Sequence, residues 1–273
     1  MTTTLNSPIS EPRSSCVRSV QDLIAPLDRL AATSASLIAN HDARFESNGE
    51  THVLPSYRFI GPLGGDAPIR LGIFAGIHGD EPEGAFALVR FLQLLDVHPE
   101  FAAGYALSIY PVCNPTGLEQ NTRHSRTGKD LNREFWKNSS EPEVRLLESA
   151  LAAQTFDGLI ALHTDDTCEG FYGIARGATL TKHLIEPALA AAAKLLPRDE
   201  RAIIDGFRAR NGVLSDCYEG VLSAPPKSRP RPFEIILETP AAPPAFVKEA
   251  ACVAALQAIL LEYRKFIAYA PNL

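Results

Sequence analysis

Three apolar runs in this chain of 273 residues each stop on a side chain able to hold a metal or carry a proton. They end as FAGIH on His78, as GLIALH on His163 and as FEIILE on Glu238. Short apolar runs bounded by polar residues read as buried strands. In an open α/β sheet the carboxyl ends of such strands gather along one edge, and ligand sites collect there. The three residues are far apart in sequence, and that arrangement would bring them together in space.

The first run continues into polar chemistry. Ile69 to Gly84 reads IRLGIFAGIHGDEPEG, with His78 and Glu81 three residues apart and Pro82 at a good first helical position. Phe86, Leu88, Val89, Leu92 and Leu95 then recur at helical spacing. The stretch therefore predicts strand, tight turn, helix. Imidazole and carboxylate are zinc ligands, and a catalytic zinc site takes three protein ligands plus an open position. His78 and Glu81 supply two, and His163 is the credible third. The plainer reading of HGDE is a helix N-terminus, with Asp80 and Glu81 facing the positive pole of the helix. Glu238 would then stand beside the metal as a base, or simply form an ion pair at a strand end.

Cys113 to Lys137 is too long and too polar for a simple connection. It carries Arg123, Arg126 and Arg133 among Asn114, Asn121 and Asn132. An arginine fork matches a carboxylate bidentately, and a second arginine can stabilise an oxyanion. Such a run can equally be a solvated loop.

Further strands are expected at Val53–Ile60, Tyr105–Val112, Phe156–Leu162 and Phe233–Leu237, with short extended pieces at Ile203–Ile204 and Gly212–Leu214. Helices are expected from Val17 to Ala39 (with Pro26 a possible break), at Pro142–Gln154 capped by Ser140, at Leu180–Leu196 and at Ala245–Tyr269. Gly61–Pro68 reads as turns, and residues 1–16 as loose chain. Alternating strands and helices predict one α/β domain with a mixed, mostly parallel central sheet flanked by helices. Residues 1–50 are expected to form an N-terminal extension with a helix, and 51–273 the catalytic domain.

A formal charge of −6 argues against nucleic acid or an anionic membrane as partner. No apolar stretch approaches the roughly 20 residues of a membrane span, and the N-terminus has no signal-peptide pattern. Five scattered cysteines without a CxxC pair read as reduced thiols, so a cytoplasmic protein is expected.

Taken together, HGDE, NPTG, TRHSRTGKDLNREF, ALHTDD and ILETP resemble the zinc carboxypeptidase family of the funnelin type, from about residue 70 onward. The resemblance implies a phosphorylase/hydrolase-like zinc peptidase fold and one Zn²⁺ per chain on His78, Glu81 and His163. It implies that Arg123 polarises the scissile carbonyl, with Arg126 as alternative. Asn132 and Arg133 would grip a free substrate carboxylate, Tyr218 would close over substrate, and Glu238 would act as general base and acid. The implied reaction cleaves an amide bond next to a free carboxylate through a zinc-activated water. The substrate would be a small peptide or an N-acyl amino acid.

The short interval from His78 to His163 is similar to the compact bacterial murein-peptide amidases and to the succinylglutamate desuccinylase/aspartoacylase branch, whose members deacylate N-acyl amino acids with the same site. Only 35 residues follow Glu238, so the C-terminal β domain typical of that branch is not expected. Lys227, Arg229 and Arg231 lie in the loop expected to select the side chain. They would favour an acidic group, unless they are merely solvent-exposed.

Overall fold

The structure, a computed structural model, describes residues 19–62 and 67–269. The expected loose stretch 1–16 and half of the Gly61–Pro68 turn cluster, residues 63–66, lie outside them. In chain order the elements are helix α1 (Val20–Ala31), strands β1 (Leu37–Asn40), β2 (Arg44–Ser47), β3 (Glu50–Val53), β4 (Ser56–Ile60) and β5 (Ile69–Ala75), and helix α2 (Glu83–Val97). Strand β6 (Tyr105–Tyr110), helices α3 (Pro115–Gln120) and α4 (Pro142–Ala153), and strands β7 (Gly158–Asp165) and β8 (Tyr172–Ala175) follow. Helix α5 (Ala178–Leu180) runs through a π-helical turn into α6 (Glu186–Ala192). Strands β9 (Ile203–Ile204), β10 (Phe207–Arg210), β11 (Val213–Leu214) and β12 (Phe233–Pro240) lead to the long helix α7 (Ala245–Tyr269).

Ten strands form one sheet in the order β1-β4-β6-β5-β7-β12-β8-β11-β10-β9. Its centre, β6-β5-β7-β12, is parallel, and antiparallel pairs dominate the flanks. The sheet is thus the large mixed type that the alternating pattern predicts, and each central strand reads as an apolar run because both its faces are covered.

Side chains alternate across the strands. Leu71, Ile73, Leu107, Ile109, Leu162 and Leu237 face a core built with α1, α2, α6 and α7. Phe74, Tyr110 and Leu159 face the other way, toward Val144, Leu147 and Leu151 of α4. Each such buried side chain stabilises the fold by roughly 1.5–3 kcal/mol.

Several boundaries differ from expectation. The first helix stops at Ala31, and Leu37 instead opens β1, which pairs with β4. Pro26 sits inside the helix without ending it. The single strand expected at Val53–Ile60 is divided at Pro55, whose missing N–H interrupts the ladder, into β3 and β4. Helix α4 starts from Glu141 rather than Ser140, and the Glu141 carboxylate accepts from Ser125 and Thr127. Residues 20–40 thus add a helix and a strand to the same core and sheet as the rest of the chain.

Candidate functional site

The site is built on the carboxyl ends of β5, β7 and β12. His163 and Glu238 are direct partners in the parallel ladder between β7 and β12. They therefore point to one face, the face covered by α4 and the later loops. Both strands run two residues past them, to Asp165 and Pro240, because the ladder continues beyond the apolar run.

His78 and Glu81 lie in the turn after β5. That turn is held by the NPTG element. Asn114 caps α3 by accepting from the Gly117 N–H, and its Nδ2 donates to the Ile77 carbonyl. The two loops approach so closely that a Cβ on Gly79 would fall 1.9 Å from the Gly117 carbonyl carbon. No residue other than glycine fits there.

His78, Glu81 and His163 are all buried, and their ligand atoms lie within 4.8 Å of one another. His78 Nδ1 is 2.6 Å from Glu81 Oε1, and His163 Nδ1 is 3.1 Å from Glu81 Oε2. The Thr164 N–H also donates to Glu81 Oε2. Burial pushes the Glu81 carboxyl up, but its bonds to both imidazoles outweigh this and hold it far below the usual range. Two imidazoles and a carboxylate are a zinc donor set, with three protein ligands as catalytic sites require. The residues present therefore fit the ion.

Asp130 is a site residue that sequence reasoning missed. Its Oδ1 lies 3.1 Å from His78 Nε2, and Arg123 donates from Nε to its Oδ2. A carboxylate on the outer nitrogen of a metal-binding histidine fixes the ring's tautomer and direction. The only signal was its place two residues before Asn132. Burial opposes the Asp130 charge, but His78 and Arg123 hold its carboxyl well below the usual range.

His78, Glu81 and His163 line a cavity of about 470 Å³ together with Arg123, Asn132, Arg133, Tyr218 and Glu238. Arg123 also reaches Glu81 Oε1 at 3.4 Å. Asn132 accepts the Leu222 N–H at its Oδ1, which leaves its Nδ2 for a ligand. The Arg133 guanidinium carbon lies 4.0 Å from the centre of the Tyr218 ring, and the Tyr218 hydroxyl donates to Asp205. Gly220, at φ +76°, lets this segment pass the Arg133 carbonyl, where a Cβ would come within 2.3 Å.

The Glu238 carboxylate has no hydrogen-bond partner among the described residues. Burial, reinforced by the charges of Glu81 and Asp165, raises its carboxyl well above the usual value. On the far wall Lys248 donates to Glu83 Oε1 at 2.6 Å, and Thr164 donates to the other Glu83 oxygen.

Arg126 does not line the cavity. It pairs with Glu50 and the Ser47 carbonyl on the β2–β3 hairpin, which fills its side of the polar segment. Lys227 and Arg229 also lie elsewhere, and Arg231 pairs with Glu234. The expected cationic selector loop is therefore not at this pocket.

No curated protein matches the sequence. Residues 68–198 match the succinylglutamate desuccinylase/aspartoacylase catalytic domain. That segment contains His78, Glu81, Arg123, Asn132, Arg133 and His163. Among solved structures, a candidate metallopeptidase from Shewanella amazonensis SB2B superposes with a TM-score of 0.75 at 22% identity, covering 89% of this chain and 93% of its own. A metallo-carboxypeptidase from Burkholderia cenocepacia gives 0.71 at 17%, covering 91% and 70%. A metallo-carboxypeptidase from Pseudomonas aeruginosa, in complex with (2-guanidinoethylmercapto)succinic acid, gives 0.62 at 16%, covering 88% and 68%. At these identities the likeness is one of fold. The resemblance drawn from the motifs holds in two findings: part of the chain matches a desuccinylase/aspartoacylase catalytic domain, and the fold is shared with metallopeptidases and metallo-carboxypeptidases. No described helix is long and apolar enough to cross a membrane.

Proposed function

We propose that this chain is a zinc-dependent, carboxypeptidase-like hydrolase that cleaves an amide bond next to a free carboxylate. The observation that carries this reading is Arg133. It is a guanidinium on the wall of the cavity, stacked on Tyr218 and without a carboxylate partner among the described residues. A cation left unpaired beside a metal-ligand cluster suits an anionic end of a substrate.

His78, Glu81 and His163 would hold the zinc, and Asp130 would orient His78. Bound zinc supplies Lewis acidity to a carbonyl and lowers the pKa of a water. Arg133 binds the substrate carboxylate through its fork, with Asn132 Nδ2 beside it. Tyr218 covers the bound end when its hydroxyl leaves Asp205. Arg123, already fixed by Asp130, directs an N–H at the oxygen where negative charge develops. Glu238 takes a proton from the attacking water and returns it to the leaving nitrogen. Its raised proton affinity suits the second half of that task.

A second reading is favoured by the segment match: an N-acyl-amino-acid deacylase that uses the same residues. The two differ in what lies on the acyl side of the bond. Zinc-loaded protein incubated with a mixed panel, read by mass spectrometry, separates them. The panel holds peptides with free and amidated C-termini, and N-succinyl and N-acetyl amino acids. Loss of one residue from free-acid peptides alone supports the carboxypeptidase reading. Release of acyl groups with peptides intact supports the deacylase, and no turnover of any member sinks both.

A further inference from the structure

Lys227 and Arg229, which do not reach the catalytic pocket, line a separate cavity of about 580 Å³ with Arg58 and Arg70. Arg58 on β4 is opposite Ser108 on β6, and Arg70 on β5 is opposite Ala106. Ser108 and Ala106 are two residues apart, so both arginines stand on one face of the sheet. The Pro-rich segment before β12 adds Lys227 and Arg229 to the wall. Ser108 and Gln154 add neutral polar groups to the wall.

Among the described residues no carboxylate lines this cavity. Among the described residues none of the four cations is in an ion pair. Arg229 donates only to the carbonyls of Pro226 and Ser228. Asp157 is near, but its carboxylate accepts the Arg70 backbone N–H and lines a neighbouring cavity. The last turn of α4 forms part of the wall, and its carbonyl pole offsets the positive charge only in part. Four uncompensated cations around one concavity, in a chain of net charge −6, focus a positive potential there.

The geometry points to this cavity as a binding site for a small polyanion, carrying two or more negative charges on phosphate or carboxylate groups. It has no wall residue in common with the catalytic pocket. Leu159 lines it, four residues along β7 from His163, which is roughly 13 Å at strand rise. The segment that brings Tyr218 to the catalytic pocket continues to Lys227 and Arg229. An anion clamped between these two and the sheet arginines therefore restrains that segment at its far end.

The test is calorimetric titration of the zinc-loaded full chain with inorganic phosphate and, separately, with tricarballylate, which distinguishes phosphate from polycarboxylate recognition. The expected result is saturable one-site binding of at least one anion, weakened by salt. It should fall at least tenfold in the double variant Arg58→Gln/Arg70→Gln and persist in Arg133→Ala. Should the sheet variant melt early, Lys227→Gln/Arg229→Gln carries the same reading from exposed loop positions. Absence of saturable binding, binding that survives the cavity substitutions, or binding abolished by Arg133→Ala would each overturn the assignment.

Discussion

The guanidinium of Arg133 is stacked on the ring of Tyr218, carbon to ring centre 4.0 Å, and the two side chains wall the same cavity. The stack presets the direction of the arginine fork before any ligand arrives. Lysine keeps the charge but has neither the fork nor the planar stack. Arg133→Lys is expected to raise KM for free-acid substrates by about 10- to 100-fold, the worth of a charge-assisted hydrogen bond. A kcat that falls while KM stays constant would contradict a role in holding the carboxylate.

Glu238→Gln keeps the shape of the side chain and removes its proton chemistry. The variant should lose about 10²- to 10⁴-fold in kcat. Its zinc content, by elemental analysis, should match the parent, because Glu238 is not one of the three clustered ligand groups. Undiminished turnover would remove it from the reaction.

Asp130→Asn leaves a hydrogen-bonding group at His78 Nε2 but takes away its charge. Zinc affinity, measured by competition with a chromophoric chelator, is expected to weaken about 10- to 100-fold. Unchanged affinity would mean that the carboxylate serves Arg123 and the Asn132 N–H alone.

Gly79→Ala tests the contact between the two motif loops. The new methyl group would sit inside the Gly117 backbone, so one loop must move. A loss of stability of about 1–3 kcal/mol or more is expected on denaturant unfolding, with weaker zinc binding in the same protein. A variant that binds zinc normally would show that the HGDE turn can shift without disturbing His78 and Glu81.

The acid limb of stability should report on Asp28. Burial opposes its charge, but hydrogen bonds from Tyr57 and from His41 outweigh that and lower its carboxyl pKa. The folded value lies below the unfolded one, so the contribution is complete above about pH 4 and is lost as pH falls through the folded value. Tyr57→Phe removes the 2.6 Å hydroxyl bond. It should cost about 1–2 kcal/mol at pH 7 and flatten the acid limb. A parallel downward shift at every pH would assign the loss to packing instead.

The central strands were legible because the signal is local: an apolar run that stops on histidine or glutamate marks a strand to within two or three residues of its end. His78, His163 and Glu238 were visible for that reason, and α7 was found at its observed limits. What could not be read was set by partners far away in sequence. Asp130 looks like any loop aspartate until His78 is beside it. Arg126 and Arg123 are alike in sequence, and only the β2–β3 hairpin, itself unforeseen, draws Arg126 away. Lys227 and Arg229 read either as pocket cations or as solvent-exposed ones because their segment begins at the pocket, but the segment runs on along the sheet. Strands β8 and β10 were missed because four residues are too short a window for a period to stand out.

The direct pairing of His163 with Glu238 has a thermal consequence. Their separation belongs to the central ladder, among the last parts of a protein to open. Arg133 ends a single 3₁₀ turn (Leu131–Arg133) and Tyr218 lies in a loop, and short or irregular segments of this kind open sooner than a central ladder. On gradual heating, substrate affinity should therefore weaken over a range of temperatures in which maximal turnover per molecule continues to rise. Turnover should collapse only when the sheet itself melts.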